Sequence, residues 1–168
     1  MKAYSDSELY VFLQGSNARE KENAFTELYT RHSSRVYVYC CRIMGDNVGA
    51  EDVFQETFIR FLQTAEKGQE VLNVPAYLLR IARNLCFNAK RDNKSATALS
   101  LDDFQFPTED KAVESAELGA LIEMALALLT EEHREAFVLQ AYNGLSYEEI
   151  AEVTHVPVTT VRNRVVRA

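Results

Sequence analysis

The chain has 168 residues, of which 47% are hydrophobic, and its formal net charge is −7 at pH 7. This length suffices for one medium domain or two small ones, and the lack of a membrane-spanning apolar run or a signal-peptide pattern predicts a cytoplasmic protein with no membrane insertion. The three cysteines (Cys40, Cys41 and Cys86) and three histidines have neither disulfide nor metal-ligand spacing. Because the sequence also shows no phosphate loop and no nucleophile paired with a base, we expect no metal, no cofactor and no catalytic activity.

The N-terminal part of the chain is dominated by helical patterns. Ser5 and Glu8 form a capping box for a first short helix. A second helix is predicted from about residue 18 to residue 44, and a third from about residue 49 to residue 64. His32 lies on the apolar face of the second helix, which favours a buried histidine with a hydrogen-bond partner over a metal ligand.

The third predicted helix has an apolar face and a polar face that includes one isoleucine. Ile59 stands among acidic and amide side chains, which suits docking of a basic, partly apolar helix of a partner. From periodicity alone, an ordinary solvated face is the favoured interpretation. The candidate docking residues are Asp52, Gln55, Glu56, Ile59 and Gln63.

After a predicted loop at residues 65–74, residues 76–91 form a helix whose two faces differ sharply in chemistry. The apolar face holds Leu78, Ile81, Ala82, Leu85 and Ala89. The opposite arc holds Tyr77, Arg80, Asn84, Phe87, Asn88 and Arg91, with Arg83 at its edge. Guanidinium groups hold phosphates, amides read base edges and aromatic rings stack on unpaired bases, so this arc predicts single-strand recognition. The alternative is a solvated face that carries two stray aromatic residues.

The stretch that follows breaks every helical period and is rich in Ser, Thr, Asp and Pro. Residues 99–117 contain six acidic residues and one lysine, whereas residues 80–94 contain five basic residues and one acidic residue. We therefore predict an all-α protein in which a flexible acidic linker, residues 95–111, joins two small helical domains at residues 1–94 and 112–168. A disordered spacer without a further role is the alternative for the linker.

The end of the chain has the pattern of a helix, a turn and a second helix. Gly144 suits a helix C-cap, Ser146 and Glu149 form a capping box, and Pro157 is suited to the first turn of the final helix. Small polar and basic side chains line the outer arc of that helix, as in a recognition helix in the major groove. A helical hairpin that only packs is the alternative. The candidate DNA-binding residues are Thr159, Thr160, Asn163 and Arg167, with Arg162 and Arg164 on the flanks as expected phosphate contacts.

Three stretches together resemble the extracytoplasmic-function (ECF) group of bacterial RNA polymerase sigma factors. They are AFTELYTRHSSRVYVYCCRIMGDNVGAEDVFQETFIRFLQ from Ala24, PAYLLRIARN from Pro75, and LTEEHREAFVLQAYNGLSYEEIAEVTHVPVTTVRNRVVRA from Leu129. DVFQETF and YLLRIARN are specific in combination. The chain departs from the usual pattern at three positions, where the family commonly has a glycine, a serine and an aromatic residue: His155, Pro157 and Leu79.

The resemblance implies a transcription initiation factor without catalytic activity. It implies that the third helix binds the clamp helices of core RNA polymerase, and that residues 77–91 capture the non-template strand of the minus-ten promoter element. The final helix would read the minus-thirty-five element of promoter DNA, and a loop at residues 65–74 would hold a flipped base. The acidic linker would run through the polymerase toward the RNA exit path, and an anti-sigma factor is an expected partner.

Two other classes of function compete with this interpretation. A stand-alone helix-turn-helix regulator would bind an operator tightly by itself, although the net charge of −7 opposes approach to DNA. A helical adaptor that uses residues 80–91 to bind an acidic protein would show no dependence on DNA. Association with core RNA polymerase distinguishes the sigma factor from both.

Overall fold

The computed structural model describes residue 1, residues 3–93 and residues 114–168, and the regular elements in these ranges are all helices. They are α1 (Asp6–Gln14), α2 (Ala18–Met44), α3 (Asn47–Glu66), α4 (Val74–Asn93), α5 (Glu114–Leu128), α6 (Glu131–Phe137), α7 (Tyr147–Thr154) and α8 (Val158–Arg167). The predicted all-α class is therefore confirmed. The predicted linker at residues 95–111 lies outside the described residues, so its place and its flexibility remain predictions.

The N-terminal helices begin and end at local caps. In the predicted capping box of α1, the Glu8 amide donates to Ser5 Oγ at 3.3 Å and the Ser5 amide donates to Glu8 Oε2 at 2.7 Å. The bounds of α2 are those predicted, and Gly45 ends it in the left-handed region at φ +78°. The third helix is longer than predicted, because the Asp46 side chain caps it before residue 49.

The four N-terminal helices enclose a core of large side chains. Tyr39, Phe61, Leu28 and Leu78 are each fully buried. Rings from α2 and α3 pack beside them, and the centroids of Tyr29 and Phe58 lie 4.8 Å apart. Such rings each bury a large apolar area, so this domain has a substantial hydrophobic core.

Buried polar groups in this core have partners. His32 is 7% exposed and its Nε2 lies 2.7 Å from Asp6 Oδ2, as expected for a core histidine. Cys40, Cys41 and Cys86 are all buried free thiols, as expected. Hydrogen bonding to Cys86, followed by burial, raises the pKa of Cys40, and burial raises the pKa of Cys41.

The C-terminal domain is built from shorter helices around a smaller core. A π-helical turn, Val138–Tyr142, continues α6. Its C-cap is Asn143, and Gly144, the predicted cap, follows one residue later in the left-handed region at φ +68°. The predicted capping box of α7 is present, with the Ser146 amide 2.8 Å from Glu149 Oε2. The buried apolar residues of this core include Val138, Leu139, Ile150, Val153 and Val161.

The turn between α7 and α8 differs from expectation at one proline. His155 takes the left-handed conformation at φ 57° and ψ 37°, in a position where glycine is less strained. The sequence predicts Pro157 inside the first turn of the final helix, but its ψ of 145° is extended and it precedes the first helical residue. Its carbonyl instead accepts from the amides of Thr160 at 2.9 Å and Val161 at 3.1 Å.

The two helical domains pack against each other. Helix α7 lies against α4, and the π-helical turn lies against α2. At the second of these contacts, Asn143 is buried and its Nδ2 donates to the carbonyl of Arg35 at 2.9 Å. The C-terminal domain therefore covers part of α4, the helix predicted to bind single-stranded nucleic acid.

Candidate polymerase and nucleic-acid interfaces

The predicted docking surface on α3 faces solvent. Ile59 is 49% exposed, while Phe58 and Phe61 on the opposite face are buried. Glu56 is half-buried, and its Oε1 lies 2.7 Å from Nε of Arg60 one turn later. The remaining predicted docking residues are exposed around the isoleucine: Asp52, Gln55 and Gln63. An apolar centre with a carboxylate and amide rim is thus available to a basic partner.

The outward part of α4 carries the predicted polar and aromatic groups. Tyr77 is half-buried, and its hydroxyl lies 3.1 Å from Thr64 Oγ1 of α3. The Arg80 guanidinium carbon lies 4.9 Å from the centroid of the Tyr77 ring. These two contacts fix the orientation of the ring, and exposed side chains follow it along the helix: Asn84, Asn88 and Arg91.

A groove of about 410 Å³ runs between α3 and α4 beside Tyr77. It is lined by Glu56, Arg60, Gln63, Thr64, Lys67, Tyr77, Ile81 and Asn84. Arg60 and Lys67 bring two cations that the sequence analysis did not select. The sequence spacing could have identified both cations, because residues 60, 63, 64 and 67 fall on one side of a helix.

Of the remaining two residues of the α4 arc, Arg83 faces the C-terminal domain and Phe87 packs against Arg83. Arg83 donates from Nε to Glu135 Oε1 at 2.7 Å and from Nη2 to Glu135 Oε2 at 3.2 Å. The same guanidinium lies 4.8 Å from the centroid of the Phe87 ring. The buried face of α4 differs from the prediction, since Leu79 and Cys86 are buried with Leu78, Ala82 and Leu85, whereas Ile81 and Ala89 are only partly buried.

Glu135 is a buried carboxylate that the sequence analysis missed. It is 2% exposed, and its Oε1 also accepts from the hydroxyl of Tyr39 at 2.9 Å. Burial, and then the Glu135 carboxylate, raises the pKa of Tyr39 well above its usual value. Little in the sequence indicates that Glu135 is buried. It is a single acidic residue beside Ala136, in a helix that continues into the apolar pair of residues 138 and 139.

The loop before α4 is shorter than the predicted range because α3 continues to Glu66. The carbonyl of Gln69 accepts hydrogen bonds from Tyr10 Oη at 3.0 Å and Gln14 Nε2 at 2.8 Å, which tie the loop to α1. Leu72 at its tip is 82% exposed. A cavity of about 190 Å³ lies beside the loop and is lined by Glu70, Val71, Leu72, Asn73, Ala76, Tyr77, Arg80, Glu152 and Val153.

Helix α8 presents most of its predicted set to solvent. Val161 is buried against the domain core, and Thr160 is half-buried. Arg164 is turned back toward α6, where its Nη2 lies 2.7 Å from Oε2 of Glu132. The exposed members of the set are Thr159, Arg162, Asn163 and Arg167.

Within the described ranges, no helix is both long enough and apolar enough to cross a bilayer. The same ranges contain no group of three or more His, Cys, Asp or Glu side chains placed to hold a metal ion.

Comparisons with known proteins identify the family of the chain. The family models for sigma-70 region 2 and sigma-70 region 4 match residues 28–96 and residues 120–168. The ECF RNA polymerase sigma factor SigE of Mycolicibacterium smegmatis is 37% identical over 150 residues, which are 86% of this chain and 58% of that protein. The ECF RNA polymerase sigma factor SigL of Mycobacterium tuberculosis is 32% identical over 141 residues, covering 82% of this chain and 80% of that protein.

A solved structure shares the fold. The sigma factor RpoE of Bartonella quintana, in complex with the anti-sigma factor NepR, superposes with a TM-score of 0.68 at 21% identity, covering 85% of this chain and 90% of that one. Regions 2 and 4 in this order define a sigma factor, the class of non-catalytic proteins that initiate transcription with RNA polymerase. The chain belongs to the ECF group of RNA polymerase sigma factors.

Proposed function

We propose that the chain acts in the cytoplasm, binds core RNA polymerase through α3 and directs it to promoters. The observation that carries this proposal is the groove between α3 and α4, where docking residues Glu56 and Gln63 share one surface with Tyr77 and Asn84. Polymerase binding and strand capture then use adjacent faces of one rigid pair of helices. Promoter opening is thereby coupled to the presence of the polymerase.

In this proposal α4 holds the non-template strand of the minus-ten element. Unstacking a base costs a few kcal/mol, which stacking on the Tyr77 ring and hydrogen bonds from Asn84 offset once the strand is open. Arg80 and Arg60 supply charge for the phosphates beside the groove. Because these contacts exist only with an opened strand, they favour melting over duplex binding.

Helix α8 reads the minus-thirty-five element as duplex DNA. Thr159, Asn163 and Arg167 project from one exposed face toward bases, and Arg162 at the edge of that face reaches phosphate. Arg164 contacts phosphate only after its ion pair with Glu132 breaks. With a net charge of −7, the chain depends on the polymerase for most of its affinity for promoter DNA.

The acidic linker and a protein inhibitor complete the proposal. The predicted linker, residues 95–111, has four acidic residues and one lysine and avoids DNA, which suits a path through a positively charged channel of the polymerase. An anti-sigma factor is the regulatory partner that we propose for this chain. A stand-alone regulator is not favoured, because the family match covers both domains and the net charge opposes unaided DNA binding.

Co-elution with core RNA polymerase in gel filtration tests the docking surface. Ile59→Arg places a cation in the apolar centre of a surface that suits a basic partner, so we expect at least a tenfold loss of affinity, roughly the effect of 1.4 kcal/mol. Val48→Arg is the matched control, since Val48 is another exposed apolar residue on α3 at 76% exposure and lies outside the docking set. Normal co-elution of the Ile59→Arg variant would refute the proposed surface.

A further inference from the structure

The loop between α3 and α4, residues 67–73, is held in place by two side chains of α1. Tyr10 Oη and Gln14 Nε2 both donate to the carbonyl of Gln69, at 3.0 Å and 2.8 Å. Two donors that converge on one oxygen fix the direction of that peptide group. Burial raises the pKa of Tyr10, so its hydroxyl stays protonated and able to donate. The position of the loop is therefore set by a helix that lies 55 and 59 residues earlier in the chain.

Helix α1 is itself fixed at its other end. Asp6 Oδ1 accepts from Nη1 of Arg31 at 2.9 Å, and Asp6 Oδ2 lies 2.7 Å from Nε2 of His32, both on α2. Leu9 and Leu13 of α1 are buried in the core. The helix therefore forms a rigid connection between α2 and the loop.

The far end of the loop is fixed by α4. Asn73 Oδ1 accepts from the Ala76 amide at 3.1 Å, and the Asn73 carbonyl accepts from the Tyr77 amide at 2.9 Å. Between the two fixed ends Val71 is buried, whereas Leu72 projects into solvent. A segment held at both ends and in the middle has its shape before any ligand binds.

The loop and the proposed strand-binding face of α4 share one cavity. Tyr77 and Arg80 are among the residues that line the cavity of about 190 Å³, and so are loop residues 70–73. A base that stacks on the Tyr77 ring therefore has the loop beside its edge. Contacts with the edge of a base distinguish one base from another, whereas stacking tolerates every base.

The rigidity of the loop decides how selective such edge contacts are. A loop that moves freely adapts to any base, so it discriminates little between them. A loop that is held by supporting hydrogen bonds keeps its polar groups in one geometry, and a base that does not match leaves those groups unpaired. Each neutral hydrogen bond favours the held geometry by a factor of about 2–10.

We propose that α1 sets the base selectivity of the single-strand site, with Tyr10 and Gln14 as positioning residues that hold the loop against the opened strand. Neither side chain touches DNA. This inference rests on the proposed role of α4 in binding the minus-ten element. It gives a part in promoter choice to α1, a helix that precedes the residues matched by the sigma-70 region 2 model.

The first measurement is amide hydrogen exchange in the full chain, followed by mass spectrometry. Tyr10→Phe and Gln14→Met each remove one donor and keep a side chain of similar size. Since each bond contributes a factor of at least about two, we expect the loop in the double variant to exchange at least about fourfold faster than in the wild type. Each single variant should lie between the two.

The second measurement uses the full chain bound to core RNA polymerase. The complex is incubated with a pool of random single-stranded DNA 12-mers, and the retained strands are sequenced. We expect the double variant to lose at least about twofold of the wild-type preference at one base position, which is the effect of a looser loop. Preferences at neighbouring positions should be unchanged, because the side chains of α4 are unaltered.

Tyr4→Phe is the matched control, since it removes the same hydroxyl from a ring that is 43% exposed just before α1. The proposal is overturned if the double variant leaves loop exchange or base preference as in this control. It is also overturned if preference falls equally at every position, because that result indicates general loosening. Absence of any base preference in the wild-type complex would refute the proposed role of α4 together with this inference, and the exchange result would still show whether α1 holds the loop.

Discussion

The two domains differ in the length of their helices and in the size of their core side chains. The N-terminal domain has long helices, such as the 27 residues of α2, around large side chains that include Tyr39 and Phe61. The C-terminal domain has, besides the 15 residues of α5, helices of only 7, 8 and 10 residues in α6, α7 and α8, around aliphatic residues. Helices this short are marginal by themselves, so caps and tertiary contacts carry more of their stability.

This difference matches the proposed roles of the two domains. A platform that binds polymerase and an opened strand benefits from a rigid core, because the geometry of its groove must persist. Four pairs of substitutions test properties of the two domains.

The largest expected effect comes from the N-terminal core. Phe61→Ala deletes a fully buried ring, and we expect a loss of about 3–5 kcal/mol in the free energy of unfolding. Urea denaturation followed by far-ultraviolet circular dichroism measures it. Leu72→Ala, at a position 82% exposed, should change the same quantity by less than about 0.5 kcal/mol. Equal effects of the two variants would contradict the rigid platform.

Recognition by α8 should change next. Asn163→Ala removes an exposed amide from the proposed base-reading face, so discrimination among minus-thirty-five elements should fall by about 1–3 kcal/mol. Arg162→Ala should instead weaken binding to all sequences alike and lower the salt slope by about one unit. The measurement is a salt-titrated binding series of the polymerase complex on promoters that differ only in this element. Uniform weakening by Asn163→Ala would show that the proposed orientation of α8 is wrong.

Two matching capping boxes allow a direct comparison between the domains. Ser146→Ala and Ser5→Ala each remove one capping hydroxyl, at a cost of about 1 kcal/mol. We expect faster amide hydrogen exchange throughout α7 and α8 for the first variant, but only within α1 for the second. Hydrogen exchange followed by mass spectrometry reads both regions in one experiment. If the two changes stay equally local, the C-terminal domain does not depend on its caps.

The smallest expected effect is at the turn before α8. His155→Gly relieves a left-handed conformation at φ 57°, and after the entropy of glycine is subtracted we expect a gain of about 0.5–1 kcal/mol in stability. His155→Ala keeps the strain and should give no gain. Thermal unfolding of both variants measures the difference. A gain for alanine as large as that for glycine would show that backbone strain is not the cause.

Local patterns predicted most of the helices. The two Ser and Glu capping boxes, the stops at Gly45 and Gly144 and the bounds of α2 all follow from interactions within a few residues, and the structure contains each of them. The exposure of Ile59 and Asn163 also follows from helical period alone. The predicted roles of these side chains still await the experiments above.

Contacts between distant residues could not be predicted in this way. Arg83 shares an arc with Asn84, yet Arg83 is paired with Glu135 of the C-terminal domain while Asn84 faces solvent. Glu135, the partner of Arg83, lies 52 residues further along the chain, and no sequence periodicity connects the two residues. The early start of α3 and the position of Pro157 were predicted wrongly because an extra cap or an extended ψ shifts a helix end by one or two residues.

The buried thiols make the opening of the N-terminal domain measurable through their reaction rate. Cysteine reacts as the thiolate, and the raised pKa values of Cys40 and Cys41 keep both side chains protonated in the folded state. The three cysteines of the chain all lie in the N-terminal domain. The rate at which a thiol reagent modifies the protein therefore reports how often the N-terminal domain opens.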